Sequence, residues 1–351
     1  MKHTRLIILY SAICTIFLLT GCHSIEEYEN DNLGNFDALW TFVDQHYCFI
    51  EEKGLDWEAI GQKYRAEAEK AGSQRVLFDI CSRMLDELRD GHVNLNSWFA
   101  TSYYRAWWSD YPQNYDERIV QQNYLNFNYQ GLGSLYYGII QPHNVGYIRI
   151  PSFTGNIGDG NIEAILNYFA LCDGIIIDVR DNGGGDLLNV EKYVSHFIDK
   201  PILAGYMMHK NGPGHNDFAE PYKYTYNPAP GLRWLKPVAV LTNRSTFSAA
   251  NNFVGIMKSL PTVTIVGATT GGGSGMPISS ELPNGWGIRL SACRILDPEG
   301  NDTEFGVTPT EGYAIDITPD DTAAGRDPIL DAAISGAANS FRRKEQGHSC
   351  P

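Results

Sequence analysis

The sequence predicts an α/β fold: a parallel-sheet core of βαβ units over residues 146–340, preceded by a small N-terminal helical domain over 35–91. Two patterns carry this expectation. Apolar runs at 146–150, 174–179, 237–241 and 262–266 alternate with amphipathic stretches near 161–171, 187–198 and 249–259, the rhythm of parallel strands joined by crossover helices. Ahead of them, apolar residues recur at helical spacing.

In chain order, Phe36, Leu39, Trp40, Val43 and Tyr47 form one helical stripe, and Trp57, Ile60 and Tyr64 a second that Asp56 caps. Leu77, Ile80, Cys81, Met84, Leu85 and Leu88 form a third, with Gly91 in position to end it. Residues 92–145 follow as a connecting segment, with 13 aromatics between 97 and 137; they read as packing between the two domains, or as a cover over a cleft. A second insertion, 205–234, is rich in Pro, Gly and Tyr and reads as a lid or a surface loop. Asn284-Gly285 joins likely strand runs at 277–282 and 287–295 as a hairpin, and 341–351 is a C-terminal tail.

The N-terminus has the pattern of a processed segment. Lys2 and Arg5 precede an apolar run from Leu6 to Leu19, and Leu19-Thr20-Gly21-Cys22 resembles a lipobox. Residues 1–21 therefore read as a lipoprotein signal peptide, too short to span a bilayer, with Cys22 as the lipidated residue. Residues 22–34 are an acidic tether. The location expected is lipid-anchored outside the cytoplasm of a Gram-negative bacterium, at the outer membrane. With 27 Lys+Arg against 41 Asp+Glu the formal charge is −14, which argues against nucleic acid as a partner. No Cys-x-x-Cys pair, Cys/His cluster or His-Glu-x-x-His is present, so the residues give no indication of a metal site or disulfide framework, and Cys81 and Cys172 read as buried thiols.

Three motifs carry chemistry. In Pro237 to Phe253 a buried strand turns into a helix with Ser248 at its mouth, where N–H groups and the positive dipole end can stabilise an oxyanion; an N-cap serine looks the same. Asp178-Val-Arg-Asp-Asn-Gly-Gly-Gly185 ends a strand in bare backbone, suited to an oxyanion hole or to a plain tight turn. Asp90-Gly-His92 puts an imidazole just past a helix C-terminus, which favours its protonated state; a packed histidine is the alternative.

In this order the motifs resemble the S41 peptidase family, which includes the carboxy-terminal processing proteases and the tricorn-like proteases. The resemblance extends over Gly146-Tyr-Ile-Arg-Ile-Pro-Ser-Phe153, Ser248-Ala-Ala-Asn251, Gly267-Ala-Thr-Thr-Gly-Gly-Gly273 and Phe305-Gly-Val-Thr-Pro309. It implies a ClpP/crotonase-like core, Ser248 as nucleophile, and an oxyanion hole from the N–H groups of Ala249 and Gly185, with Gly184 as the next candidate. Processing proteases use a lysine where Gly273 stands here, and Lys258 is placed to face solvent. The chain thus looks like the tricorn-like branch without a PDZ domain, with His92 as base and Glu304 as supporting acid. Glu299 and Asp302 compete with Glu304, and Gly91 stands where that branch has a serine.

The function expected is that of a serine peptidase acting on peptides or unfolded chains through an acyl-enzyme, with no cofactor. Alternatives are a non-catalytic ligand- or peptide-binding protein on the same fold and an esterase-like hydrolase. Cys22→Ser should release the protein from the membrane fraction, measured by fractionation and immunoblotting; retention of the variant would contradict lipid anchoring there.

Overall fold

The computed structural model describes residues 27–336, so the signal segment and Cys22 lie outside the described residues, as does the tail at 341–351. Three helices open the described residues: α1 (Asn32–His46), α2 (Trp57–Ala68) and α3 (Gln74–Asp86). Asp31, Asp56 and Ser73 cap them, each accepting a hydrogen bond from a first-turn N–H. After α3 the left-handed residue is Arg89, at φ 48, rather than Gly91.

The connecting segment contributes strands and short helical turns. It forms β1 (Asn94–Asn96), β2 (Thr101–Tyr103), short helical turns, β3 (Tyr129–Leu132) and β4 (Leu135–Ile140). There follow β5 (Val145–Arg149), α4 (Asp159–Tyr168), β6 (Gly174–Asp178), α5 (Leu187–Ser195), β7 (Ile202–His209), β8 (Tyr222–Tyr226), β9 (Val238–Thr242), α6 (Ala249–Lys258) and β10 (Val263–Gly267). The chain continues through β11 (Gly275–Glu281), β12 (Gly287–Leu296), α7 (Pro319–Ala323) and a helix over 328–336.

Two six-stranded sheets organise these elements. One has the order β10-β9-β6-β5-β4-β3; its first four strands are mutually parallel, and the other two add antiparallel from the connecting segment. The four expected core strands are therefore the parallel ones. Both faces are covered, as successive residues show: Ile175 and Ile177 of β6 enter the core beneath α4, α5 and α6, while Ile176 enters a second core with Ile329 and Leu330.

The other sheet runs β2-β1-β12-β7-β8, with β11 also on β12. The expected hairpin is β11–β12, antiparallel, and the second insertion supplies the β7–β8 pair. His215, between these two strands, bonds Asp44 and Glu51 and ties the insertion down on the helical region. The N-terminal helices close their core on this hairpin: Phe36, Leu39, Trp57 and Leu77 share one cluster with Leu282, Trp286, Ile288 and Leu290.

The aromatics of 97–137 scatter rather than forming one wedge: Tyr137 packs on the core beneath α4, and Trp98, Trp108, Tyr111 and Phe127 are exposed. Phe99 joins the helical core, Tyr115, Tyr124 and Tyr129 pack against the far side of the parallel sheet, and Trp107 stacks on Phe247. Cys48, Cys81, Cys172 and Cys293 are free buried thiols.

Asp178 and Arg180, from the glycine-turn motif, are structural. Arg180 is fully buried, donates to Asp178 and reaches Asp327 Oδ2 at 2.8 Å, while Tyr147 donates to Asp178 at 2.8 Å. Arg180→Met should leave two buried carboxylates without their cation and lower unfolding stability by about 3–5 kcal/mol, read from urea denaturation. A change below 1 kcal/mol would mean the network is dispensable.

Candidate active site

Ser248 sits at the corner between β9 and α6 with φ 59 and ψ −124, a conformation that costs a non-glycine residue on the order of 1–3 kcal/mol. The corner is pinned by backbone bonds: Ser248 N–H donates to Gly272 O at 2.9 Å and Phe247 N–H to Asn182 O at 2.9 Å. Its side chain makes no capping bond to α6. The hydroxyl instead meets His92 Nε2 at 2.9 Å, so the N-cap reading does not hold.

His92 comes from the other sheet's entrance, just ahead of β1. Asp90 Oδ1 accepts the His92 backbone N–H at 2.7 Å, an Asx-type turn, and Asp90 Oδ2 accepts Tyr47 at 3.0 Å and Ser291 at 2.9 Å. Phe247 packs on the imidazole with ring centroids 4.8 Å apart. His92 Nδ1 has no hydrogen-bond partner among the described residues. Burial lowers its pKa to about 4, helped by the charges of Arg289 and Lys53 and opposed by Asp90.

The glycine turn lies beside Ser248. Asn182 holds it, donating to Ile150 O and accepting from Gly184 N–H at 2.9 Å. The Gly184 N–H is therefore committed, which corrects its place among the oxyanion donors; what Gly184 supplies is room, since a Cβ there would lie 2.7 Å from Ser248 Cβ. Gly185 N–H and Ala249 N–H donate to no acceptor among the described residues. A cleft of about 410 Å³ opens here, lined by Gly185, Leu187, Ser248, Ala249, Asn252, Met276, Pro277 and Ile295.

Glu304 is buried near this centre but is not joined to His92 by a hydrogen bond. Its Oε1 meets Lys53 Nζ at 2.8 Å and its Oε2 accepts from Ser274 N–H at 3.0 Å. Lys53 also lies 4.0 Å from Asp90, and one ammonium serves two carboxylates unequally. Asp90, with three further donors, is held below the ordinary carboxylate range against the cost of burial. Glu304 has fewer, and burial together with the Asp90 charge pushes it up to about 8. Of its competitors, Asp302 accepts from Ser274 and from the Glu304 N–H, and Glu299 is exposed.

Lys258 is exposed and bonds Thr308, as its helix position implies. Sequence reasoning missed Lys53, Trp107 and the role of Asp90. Gly91 has a steric reason: its Cβ would come within 2.5 Å of Trp107 Nε1, and the indole stacks on Phe247 at 4.1 Å. An aromatic ring thus fills the place expected for a serine. Only Asp90 left a local signal, an Asp two residues before the histidine.

Gly185 has φ 144, and a Cβ there would lie 2.3 Å from the Phe153 carbonyl carbon. Gly185→Ala should therefore cost about 1–3 kcal/mol or more, through overpacking and backbone strain, and lower the melting temperature together with any activity. A variant as stable as wild type would show that the turn relaxes freely.

Comparisons with known proteins bear on the family and the fold. The model of peptidase family S41 matches residues 144–312, and that of the tricorn protease C1 domain matches residues 28–86. A candidate peptidase from Parabacteroides merdae ATCC 43184, known from its crystal structure, is 44% identical with a TM-score of 0.84, covering 88% of this chain and 97% of that one. Carboxy-terminal processing protease CtpB of Bacillus subtilis (strain 168) is 29% identical over 164 residues, 46% of this chain and 32% of that protein. Tricorn protease of Thermoplasma acidophilum is 26% identical over 346 residues, 93% of this chain and 27% of that protein. The chain thus spans about a third or less of these two curated relatives. Its α/β fold is that of the 44% identical structure, and the two matched family models together reach from the N-terminal helices to the segment that carries Glu304: the chain belongs to peptidase family S41.

Proposed function

We propose that the protein is a serine peptidase in which Ser248 is the nucleophile and His92 the general base. The observation that carries this reading is the 2.9 Å contact between Ser248 Oγ and a neutral, buried imidazole, at a strained corner beside two N–H groups that are free among the described residues. In the first half-reaction Oγ attacks the substrate carbonyl carbon and its proton passes to His92 Nε2. The oxyanion accepts hydrogen bonds from Gly185 N–H and Ala249 N–H. The C–N bond then breaks, His92 returns the proton to the leaving amine, and an ester to Ser248 remains. Water attacks that ester, its proton goes to His92, and the acid product leaves as Ser248 regains its hydrogen.

Glu304 supports the site through Lys53 and the Ser274 backbone rather than through His92 itself. The substrate class is peptide or unfolded protein. A lipid anchor at Cys22 would hold the enzyme at the outer membrane, a reading supported by the lipobox-like sequence; among the described residues no helix is long and apolar enough to cross a membrane.

A fluorophosphonate probe tests the assignment. It should label the wild type and fail to label Ser248→Ala, and His92→Ala should slow labelling by orders of magnitude while Lys258→Ala changes little. The base works only as neutral imidazole, so the rate should be lost as pH falls through about 4, well below the ordinary histidine value of about 6.5. An unchanged rate in His92→Ala sinks the assignment of the base; absence of labelling in well-folded wild type favours a binding protein.

A further inference from the structure

Lys53 lies in the turn between α1 and α2, within Glu51-Glu52-Lys53-Gly54, which reads as exposed charge. Its side chain is nevertheless only 7% exposed. An ammonium has three protons to donate, and each finds an acceptor here: Glu304 Oε1 at 2.8 Å, Leu88 O at 3.1 Å and Arg89 O at 3.3 Å. The rings of Tyr47 and Phe49 flank Nζ at 5.6 Å each. With every donor committed and no contact to Ser248, this lysine is not placed to act as the base.

We propose that Lys53 is a positioning residue of the catalytic centre, fixing the 88–92 turn against Glu304 so that His92 meets Ser248. The inference rests on the serine-peptidase reading above. Leu88 and Arg89 immediately precede Asp90-Gly91-His92, and Arg89 holds a left-handed φ of 48, which persists only when its surroundings impose it. Lys53 grips the carbonyls on both sides of that strained residue's Cα and, from the same atom, the carboxylate of a loop more than two hundred residues later in the chain. The helical region therefore delivers a cation to the reaction centre. Its loss frees both carbonyls and removes the group that bridges the 88–92 turn to Glu304.

Saturation kinetics of fluorophosphonate labelling separate the maximal rate from probe affinity. Lys53→Ala should lower the maximal rate on the order of 10²-fold, the cost of an ångström-scale misplacement, and leave probe affinity nearly unchanged. Methylammonium should restore part of the rate, because Lys53 and Glu304 both line a cavity of about 830 Å³ that admits it. Lys53→Met, which keeps the aliphatic stem, serves if the alanine variant does not fold, and should be slowed alike. A wild-type rate in a folded variant overturns the inference, as does a slowed alanine variant that methylammonium leaves unchanged. A wild type that does not label removes the peptidase reading and this inference with it, whereas a labelled wild type beside an unslowed variant removes this inference alone.

Discussion

Asp90 is the grip on which the site depends. A carboxylate that is 2% exposed is costly unless each oxygen is satisfied, and here both are, by two groups remote in sequence and one close by. Tyr47 ends α1, Ser291 lies in β12, and the third donor is the backbone of His92 itself. One buried charge thereby joins the helical region, the antiparallel sheet and the turn that carries the imidazole. Since Nδ1 of His92 has no partner among the described residues, the ring is aimed by its backbone and by the Phe247 face. That differs from an arrangement in which a carboxylate holds the ring from behind.

The site lies at the seam of the two sheets, and each contributes what its geometry makes available. The parallel sheet offers the end of β9, where the chain must turn sharply into α6 and can hold a serine in a strained corner. The antiparallel sheet offers β12, long enough to pair with β1 at one end and β7 at the other. Glycines at 271–273 permit close approach here. At 271 a Cβ would strike Trp107, and at 272 the Glu304 carbonyl, so the absence of side chains is what permits contact.

Much of this was legible in the sequence. The valine- and isoleucine-rich runs that became β5, β6, β9 and β10 are buried on both faces, so composition alone marks them. Ser248, His92 and the glycine turn were legible because each sits at a helix end or strand end, where local rules apply. The boundary between the helical region and the rest was less so: three amphipathic helices announce an apolar face, but not that Trp286 and Ile288 cover it. Lys53 was illegible for a similar reason. Nothing in Glu-Glu-Lys-Gly distinguishes a solvated lysine from one buried by Tyr47, Phe49 and Glu304. Trp107 was counted among the aromatics, but its partner Phe247 lies 140 positions away, and only tertiary packing pairs them.

The closure of the helical core by the β11–β12 hairpin bears on when the molecule first becomes competent. Ser248 and His92 are separated by 156 residues, and both precede Ser291 and Glu304 in the order of synthesis. A nascent chain that has already emerged through its nucleophile still lacks Leu282, Trp286, Ile288 and Leu290, so its first three helices have no lid for their apolar face. It also lacks the hydroxyl and the carboxylate that secure Asp90 and Lys53. Contacts this remote in sequence form late and slowly. Reactivity is thereby coupled to synthesis through Glu304, and a shorter copy carries the nucleophile without the setting that would arm it.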